Sequence, residues 1–183
     1  GKDMTAFFED WYYGEGWPNY NVQWAKDPLC NKVYVTINQS HSANQGTFFE
    51  MPVPIAFSDG VHTDTIVFNQ SDPTKLNFVQ ELSFSPTSAV FDPEKWLCAK
   101  STISNVPFNN RPRIIIWNGS VNNNWHNAGN WDCGVPTIND KVWIPAGKPQ
   151  CKVLNNMTAN CKSIQLEQNA ELILEGTAIL NVV

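Results

Sequence analysis

The sequence predicts an all-β protein, on the strength of three observations. Apolar residues alternate with polar ones at a period of two, as at Val33, Val35 and Ile37, which is the pattern of a strand with one buried face. Asn, Ser, Thr, Gly and Pro separate such stretches at near-regular intervals. Eight tryptophans stand among 183 residues of which only 16% are charged. A chain of this length accommodates one or two domains with a proper core.

One helix is expected, at the start of the chain over residues 1–14. Asp3 is placed to cap it, and Gly14 to take the left-handed conformation after its last turn. The strands that follow need no such helix, so its apolar face is expected to contact a preceding domain. Gly1-Lys2-Asp3 opens without a signal peptide, as expected of a segment of a longer protein. The apolar stripe at helical spacing comprises Met4, Phe7, Phe8, Trp11 and Tyr12, of which Phe7, Phe8 and Trp11 are the expected interface.

Six or seven short strands are expected between residues 15 and 100, and they predict an antiparallel β-sandwich. The first clear strand surrounds Val35, and a longer one runs from Phe49 to Phe57. Asp59-Gly60 predicts a hairpin turn into the next strand. Residues 101–113 are polar and contain two prolines, so they are expected to form a linker.

Residues 114–183 are expected to form a second, smaller β module. Apolar pairs recur at intervals of eleven, eleven, eight and eight residues, with Asn156, Asn169 and Gly176 at the turns. This spacing favours a solenoid-like roll, and a tight meander or small sandwich is the alternative. The pairs are Val142/Ile144, Val153/Leu154, Ile164/Leu166, Leu172/Leu174 and Leu180/Val182.

The start of this module combines tryptophans with many asparagines, and two interpretations remain open. Indole faces with neighbouring amides are typical of carbohydrate-binding surfaces, which would make a polysaccharide the partner. The alternative is that the tryptophans fill the core and the asparagines shape the turns. The candidate carbohydrate contacts are Trp117, Trp125, Trp131 and Trp143.

Five cysteines in a loop-rich chain indicate an oxidising compartment. Cys30 and Cys98 lie just outside predicted sandwich strands, where a disulfide between them is one expectation. Because the count is odd, at least one cysteine stays unpaired. Whether the others form disulfides or buried thiols remains open.

Four segments, in order, resemble the region of M1-type zinc aminopeptidases where the last helix of the thermolysin-like catalytic domain leads into an immunoglobulin-like β-sandwich. The resemblance covers residues 4–100. It implies that the sandwich over residues 15–100 is immunoglobulin-like and braces an upstream catalytic domain. The segments are FFEDWYYGEGWP with VQW (residues 7–24), VYVTINQ (33–39), FEMPVPI (49–55) and VFDPEKWL (90–97).

The resemblance transfers no catalytic or metal-binding residues to this chain. Such peptidases hold zinc with two histidines one helical turn apart and a later glutamate. His41, His62 and His126 are the only histidines, and none has a second histidine four residues away. The chain is therefore expected to be no enzyme by itself, with no cofactor of its own and the zinc in the upstream domain.

The Trp- and Asn-rich module resembles a small domain appended to secreted and surface proteins of Bacteroidetes-like bacteria, which implies secretion or a place on a bacterial cell surface. A net charge of −5 argues against nucleic acid as a partner, and no apolar run is long enough to span a bilayer. Three functions remain: the non-catalytic C-terminal part of a peptidase, a carbohydrate-binding or adhesion module, and a structural spacer.

Overall fold

The computed structural model describes residues 3–43, 48–108 and 112–183. It is all-β apart from short helical segments, as the sequence predicts. The chain divides into two compact units, Gly1–Phe108 and Asn109–Val183. No helix in the described ranges is both long and apolar enough to cross a membrane.

The first unit opens with a short helix, α1 (Thr5–Phe8), which continues as a π-helical turn over Glu9–Tyr13. Asp3 caps it, because the Thr5 backbone N–H donates to Asp3 Oδ1 at 2.9 Å. Gly14 is extended, at φ −76° and ψ 168°, so the predicted left-handed cap is wrong. Glycine is required there for another reason: a Cβ would collide with the carbonyl oxygen of Asp10.

The rest of this unit is a sandwich of two sheets. One sheet has the strand order β5-β2-β1-β7 and the other β4-β3-β6. The inward faces share one core, in which Trp24 of one sheet meets Phe57 of the other at 5.8 Å between ring centroids. The strands are β1 (Pro18–Lys26), β2 (Lys32–His41), β3 (Met51–Ser58), β4 (Thr63–Gln70), β5 (Asn77–Glu81), β6 (Ser88–Phe91) and β7 (Lys100–Asn105).

Strand β7 corrects two expectations. It pairs with β1 in parallel, from Asn19 with Lys100 to Trp24 with Asn105, so the sandwich is mixed and not purely antiparallel. It also occupies the beginning of the predicted linker, of which residues 109–111 lie outside the described residues. Only Ile103 of this edge strand is even half-buried, which explains why its sequence is polar enough to resemble a linker.

The second unit is built from short parallel strands. Three separate ladders form, β8-β9-β12, β10-β13 and β11-β14, and every pairing is parallel. A short 3-10 turn, Ala128–Asn130, lies between the first two strands. The strands are β8 (Ile114–Ile116), β9 (Lys141–Ile144), β10 (Cys151–Val153), β11 (Thr158–Cys161), β12 (Ser163–Leu166), β13 (Leu172–Leu174) and β14 (Ile179–Val182).

These ladders define a β-solenoid with three strands in each coil. Position 141 pairs with 163, 151 with 172 and 158 with 179, so one coil takes 21 or 22 residues. We call β9–β11 the first coil and β12–β14 the second. Asn156, Asn169 and Gly176 all have positive φ at turns, as predicted. The solenoid-like alternative is therefore confirmed over the meander.

The first coil has a small, tightly packed interior. Alternate residues of β9, β10 and β11 point inward and are almost wholly buried, as the period-two pattern of strands requires. These inward residues are Val142, Ile144, Cys151, Val153, Ala159 and Cys161.

A buried ion pair joins the starts of the ladder strands. Arg113 donates through Nε and Nη2 to the two carboxylate oxygens of Asp140, at 2.9 and 2.7 Å. Burial alone would raise the pKa of Asp140, but hydrogen bonds from Arg113 and Thr137 outweigh it and leave the pKa below its ordinary value. Lys141 and Lys162 donate backbone N–H groups to the carbonyls of Arg113 and Asp140, so the pair sits where β8, β9 and β12 begin.

Candidate functional site

The N-terminal helical segment presents an exposed aromatic face. Phe7 and Phe8 are exposed, and Tyr12 and Tyr13 are more so. The two phenylalanine rings meet edge to face at 5.7 Å, and the two tyrosine rings at 4.9 Å. Exposed apolar side chains grouped on one short segment are typical of interaction sites. We call Met4, Phe7, Phe8, Tyr12 and Tyr13 the aromatic face.

Trp11 has a different place from the other predicted interface residues. It is half-buried, and its ring centroid lies 4.9 Å from that of Phe49. The Phe7 ring stacks with the Trp11 ring at 6.3 Å between centroids. Trp11 therefore anchors the helical segment to the sandwich, and Phe7 and Phe8 remain on the surface.

Phe49 is itself held by a side-chain amide. Its backbone N–H donates to Gln39 Oε1 at 2.8 Å, and Gln39 Nε2 donates to its carbonyl oxygen at 2.9 Å. This pair of bonds reproduces the exchange between two strand residues, although Phe49 lies outside any strand. Gln39 Nε2 also lies 3.2 Å from Tyr20 Oη, and burial raises the pKa of Tyr20 to about 12. The support beneath Trp11 is thus fixed by hydrogen bonds as well as by packing.

Three of the four candidate carbohydrate contacts have no free face in the structure. Trp117, Trp125 and Trp131 are buried, with Trp131 between the other two at 4.9 and 4.8 Å between ring centroids. Trp117 Nε1 donates to the carbonyl of Pro149, and Trp131 Nε1 to that of Trp125, both at 2.7 Å. Trp143 is half-buried on the outer side of β9. The predicted sugar contacts are wrong for the three buried residues, because their faces pack against one another.

Asn130 organises the loop that carries these tryptophans, and the sequence analysis did not single it out. It is fully buried, and its Oδ1 accepts from the backbone N–H groups of Val121 and Asn122 at 3.0 and 2.9 Å. Its Nδ2 donates to Asn122 Oδ1 and to the carbonyl of Asn124 at 2.7 and 2.8 Å. The high Asn content was a visible signal, but which asparagine is buried was not. We call Trp117, Trp125, Trp131 and Asn130 the tryptophan cap.

The cysteines divide into bonded and free groups. The expected Cys30–Cys98 disulfide is not formed, because Cys98 is a free, exposed thiol, whereas Cys30 is disulfide-bonded. Cys151 and Cys161 are free thiols pointing into the first coil. Burial raises the pKa of Cys151 to about 12, so this thiol is not ionised at neutral pH.

The three histidines serve local contacts. His62 Nδ1 lies 3.0 Å from Asp59 Oδ2 in the β3–β4 hairpin, and the His41 ring packs against Phe49. His126 Nε2 donates to the carbonyl of Thr158 at 2.9 Å. Within the described ranges, no histidine belongs to a cluster of three potential metal ligands. These residues do not fit a zinc site of the peptidase type.

A shallow groove of about 490 Å³ lies against β1 and β7 of the sandwich. Lys100 and hydroxyl and amide groups line it, and its lining includes no carboxylate or imidazole. Its lining residues are Asn19, Tyr20, Asn21, Ser40, Lys100, Ser101 and Thr102.

Comparison with known proteins finds a family match within the second unit. A family model described as a domain of unknown function (DUF8693) matches residues 116–183. The match begins at the last residue of β8 and takes in the tryptophan cap and both coils. No curated protein matches the chain.

Proposed function

We propose that this chain is the non-catalytic C-terminal part of a secreted bacterial M1-type zinc metallopeptidase. The sandwich braces the catalytic domain that precedes it, and the solenoid is an accessory module. The chain alone hydrolyses nothing, and the zinc is held by the upstream domain. The exposed aromatic face of the N-terminal helical segment is the observation that carries this proposal.

The aromatic face supports a domain contact because the helical segment has little reason to form for the sandwich alone. It spans residues 5–13, which is shorter than an isolated helix needs to be stable in water. Of its aromatic rings, Trp11 contacts the sandwich through Phe49, and most of the others face solvent. A catalytic domain seated on Phe7, Phe8 and Tyr12 would remove that apolar surface from water.

The anchoring of Trp11 supports a bracing role. A brace must hold its partner at a fixed angle. Trp11 packs on Phe49, and the Gln39 side-chain amide hydrogen-bonds both the backbone N–H and the backbone C=O of Phe49. Gln70 Nε2 adds a bond to the carbonyl of Ile37 within the same region, at 2.9 Å. The aromatic face is therefore connected to the sandwich core through fixed contacts rather than a loose tether.

The placement of the tryptophans supports the role of a structural spacer for the solenoid. Three of the four are committed to the tryptophan cap and have no free face for a sugar ring.

Secretion is supported by the disulfide-bonded Cys30, since disulfides persist in oxidising compartments.

The experiment is a mass and peptide map of the native secreted protein that contains this sequence, captured with an antibody against residues 114–183. We expect a species well above 20.6 kDa whose upstream peptides include His-Glu-x-x-His. The recombinant 183-residue chain is the control for capture and size. A native species no larger than that control, or a larger one without the zinc motif, would overturn the proposal.

A further inference from the structure

The sandwich presents a polar outer face where β2, β1 and β7 lie side by side. Tyr20 and Val22 of β1 point into the core, so the alternation of strand residues places their neighbours on the outside. Strand pairing then aligns two rows of polar side chains, which we call the polar face. The rows are Ser40, Asn19 and Lys100, followed by Asn38, Asn21 and Thr102. All of these except Asn38 line the groove of about 490 Å³.

The polar groups of this groove are available to a ligand. Within the described ranges, the side chains of Asn19, Asn21 and Thr102 form no hydrogen bond with the rest of the chain. Amide and hydroxyl groups offer both donors and acceptors, which matches a ligand rich in hydroxyl groups. The groove also falls within the roughly 300–1,000 Å³ that small-molecule sites occupy. Size and chemistry together therefore suit a carbohydrate.

An indole ring stands beside the groove and is held in a fixed place. Lys100 Nζ lies 5.5 Å from the centroid of the Trp17 ring, and Trp17 is 40% exposed. The Trp17 backbone N–H donates to Ser42 Oγ at 2.8 Å, and the Ser42 backbone N–H donates to the Trp17 carbonyl at 3.1 Å. Gly16 permits this approach, because its φ is +85° and a Cβ there would collide with Ser42 Oγ. An exposed, fixed indole supplies an apolar surface on which the C–H groups of a sugar can pack.

Lys100 gives the groove a positive charge. It is the one charged residue of the lining, and within the described part of the chain no carboxylate lies within ion-pair distance of it. Its ammonium rests over the Trp17 ring, and its flexible stem lets it turn to a ligand in the groove. A neutral sugar would leave this charge without a partner. The ligand that completes the groove therefore carries a negative group as well as hydroxyls.

We infer that this groove binds an oligosaccharide whose units carry carboxylates, as a chain of uronic acids does. Lys100 pairs with a sugar carboxylate, Asn19 and Asn21 hydrogen-bond the hydroxyls, and Trp17 covers an apolar face of the sugar. A single sugar unit in a shallow groove is expected to bind with a Kd on the order of 1 mM. The site belongs to the sandwich alone and does not depend on the proposed peptidase.

The test is an NMR titration of the full chain with a tetramer of galacturonic acid up to about 10 mM, which brackets this Kd. We expect saturable shifts of the Asn21 side-chain amide and of the Trp17 indole N–H. Lys100→Gln should raise the Kd at least about threefold, because it removes an exposed ion pair. Lys75→Gln is the matched control and should leave the Kd unchanged, since Lys75 also lies over an aromatic ring, that of Phe78, outside the groove.

A second ligand separates the charge from the sugar. The methyl ester of the same tetramer keeps the hydroxyls but is neutral, so it should bind the wild type at least about threefold more weakly than the acid. Lys100→Gln should bind the ester and the acid alike. Asn21→Ala should weaken both ligands, because this exposed amide contacts hydroxyls that the two share. The amide spectra of all variants also show that each is folded.

Four results would overturn the inference. The first is the absence of shifts with the acid up to about 10 mM, and the second is an equal Kd for the acid and its ester in the wild type. The third is an unchanged Kd for the acid in Lys100→Gln. The fourth is a tetramer of aspartate that shifts the same signals with the same Kd, since the groove would then bind anions in general and not a sugar.

Discussion

Asn130→Ala should destabilise the tryptophan cap more than any change at a surface asparagine. The substitution removes four hydrogen bonds of a fully buried amide, with distances from 2.7 to 3.0 Å. A hydrogen bond contributes about 1 kcal/mol net, so the four together contribute about 4 kcal/mol. Val121 and Asn122 are exposed, and water can reach their freed N–H groups, which lowers the expected cost to about 3 kcal/mol.

The indole protons of the cap report this change directly. Trp117 and Trp131 are buried and donate Nε1–H to the carbonyls of Pro149 and Trp125, so these protons are expected to exchange with solvent when the cap opens. A loss of about 3 kcal/mol corresponds to exchange about 150-fold faster. The measurement is hydrogen exchange of the two indole signals by NMR, at a pH where exchange follows the opening equilibrium.

Asn181→Ala is the control, because its side chain is exposed and makes a single bond to Asn160 at 3.0 Å. A cost below about 0.5 kcal/mol is expected there, with indole exchange within a factor of about two of the wild type. The reasoning would be refuted if Asn130→Ala also left indole exchange within about threefold of the wild type. The amide would then not be what holds the tryptophans in place.

Two further outcomes follow from cysteine burial and from the hairpin turn. Under native conditions a thiol reagent should modify the exposed Cys98 quickly, whereas the buried Cys151 and Cys161 should react only at the rate of unfolding. If all three thiols reacted at one rate, the burial of Cys151 and Cys161 would be contradicted. Asp59 accepts backbone N–H bonds from His62 and Val61, which with the His62 side chain lower its pKa to about 2. Because this folded-state pKa is depressed, its contribution to stability is full above the ordinary value of 3.8 and is lost as the pH falls towards 2. An NMR titration of the Asp59 carboxyl should give a midpoint near 2 in the wild type and a midpoint still below 3.8 in His62→Ala. A wild-type midpoint at the ordinary value would disprove the effect of these hydrogen bonds.

Local sequence signals predicted much of the fold. The alternation through Val33, Val35 and Ile37 is a buried face of β2, and Asp59-Gly60 does form the β3–β4 turn. In the second unit, Asn156 and Asn169 take the left-handed conformation that asparagine tolerates better than most residues. Such signals depend only on neighbours along the chain, so they can be read without a structure.

Strands without large apolar residues escaped prediction. The inward positions of β11 are Ala159 and Cys161, whose small side chains give no clear apolar pattern. The sequence spacing of eleven and eight residues therefore hid a regular coil of 21 or 22 residues. Strand β7 was missed for the opposite reason, since an exposed edge strand has no buried face to display.

The candidate sites show the same division. Sequence alone determined that the helical stripe is apolar, that the second unit repeats and that its tryptophans cluster among asparagines. Only the tertiary structure decided that Trp11 turns onto Phe49 and that Trp131 lies between two other indoles. The physical reason is that periodicity specifies which side of an element is apolar. What covers that side depends on contacts between residues far apart in the chain, which no local pattern encodes.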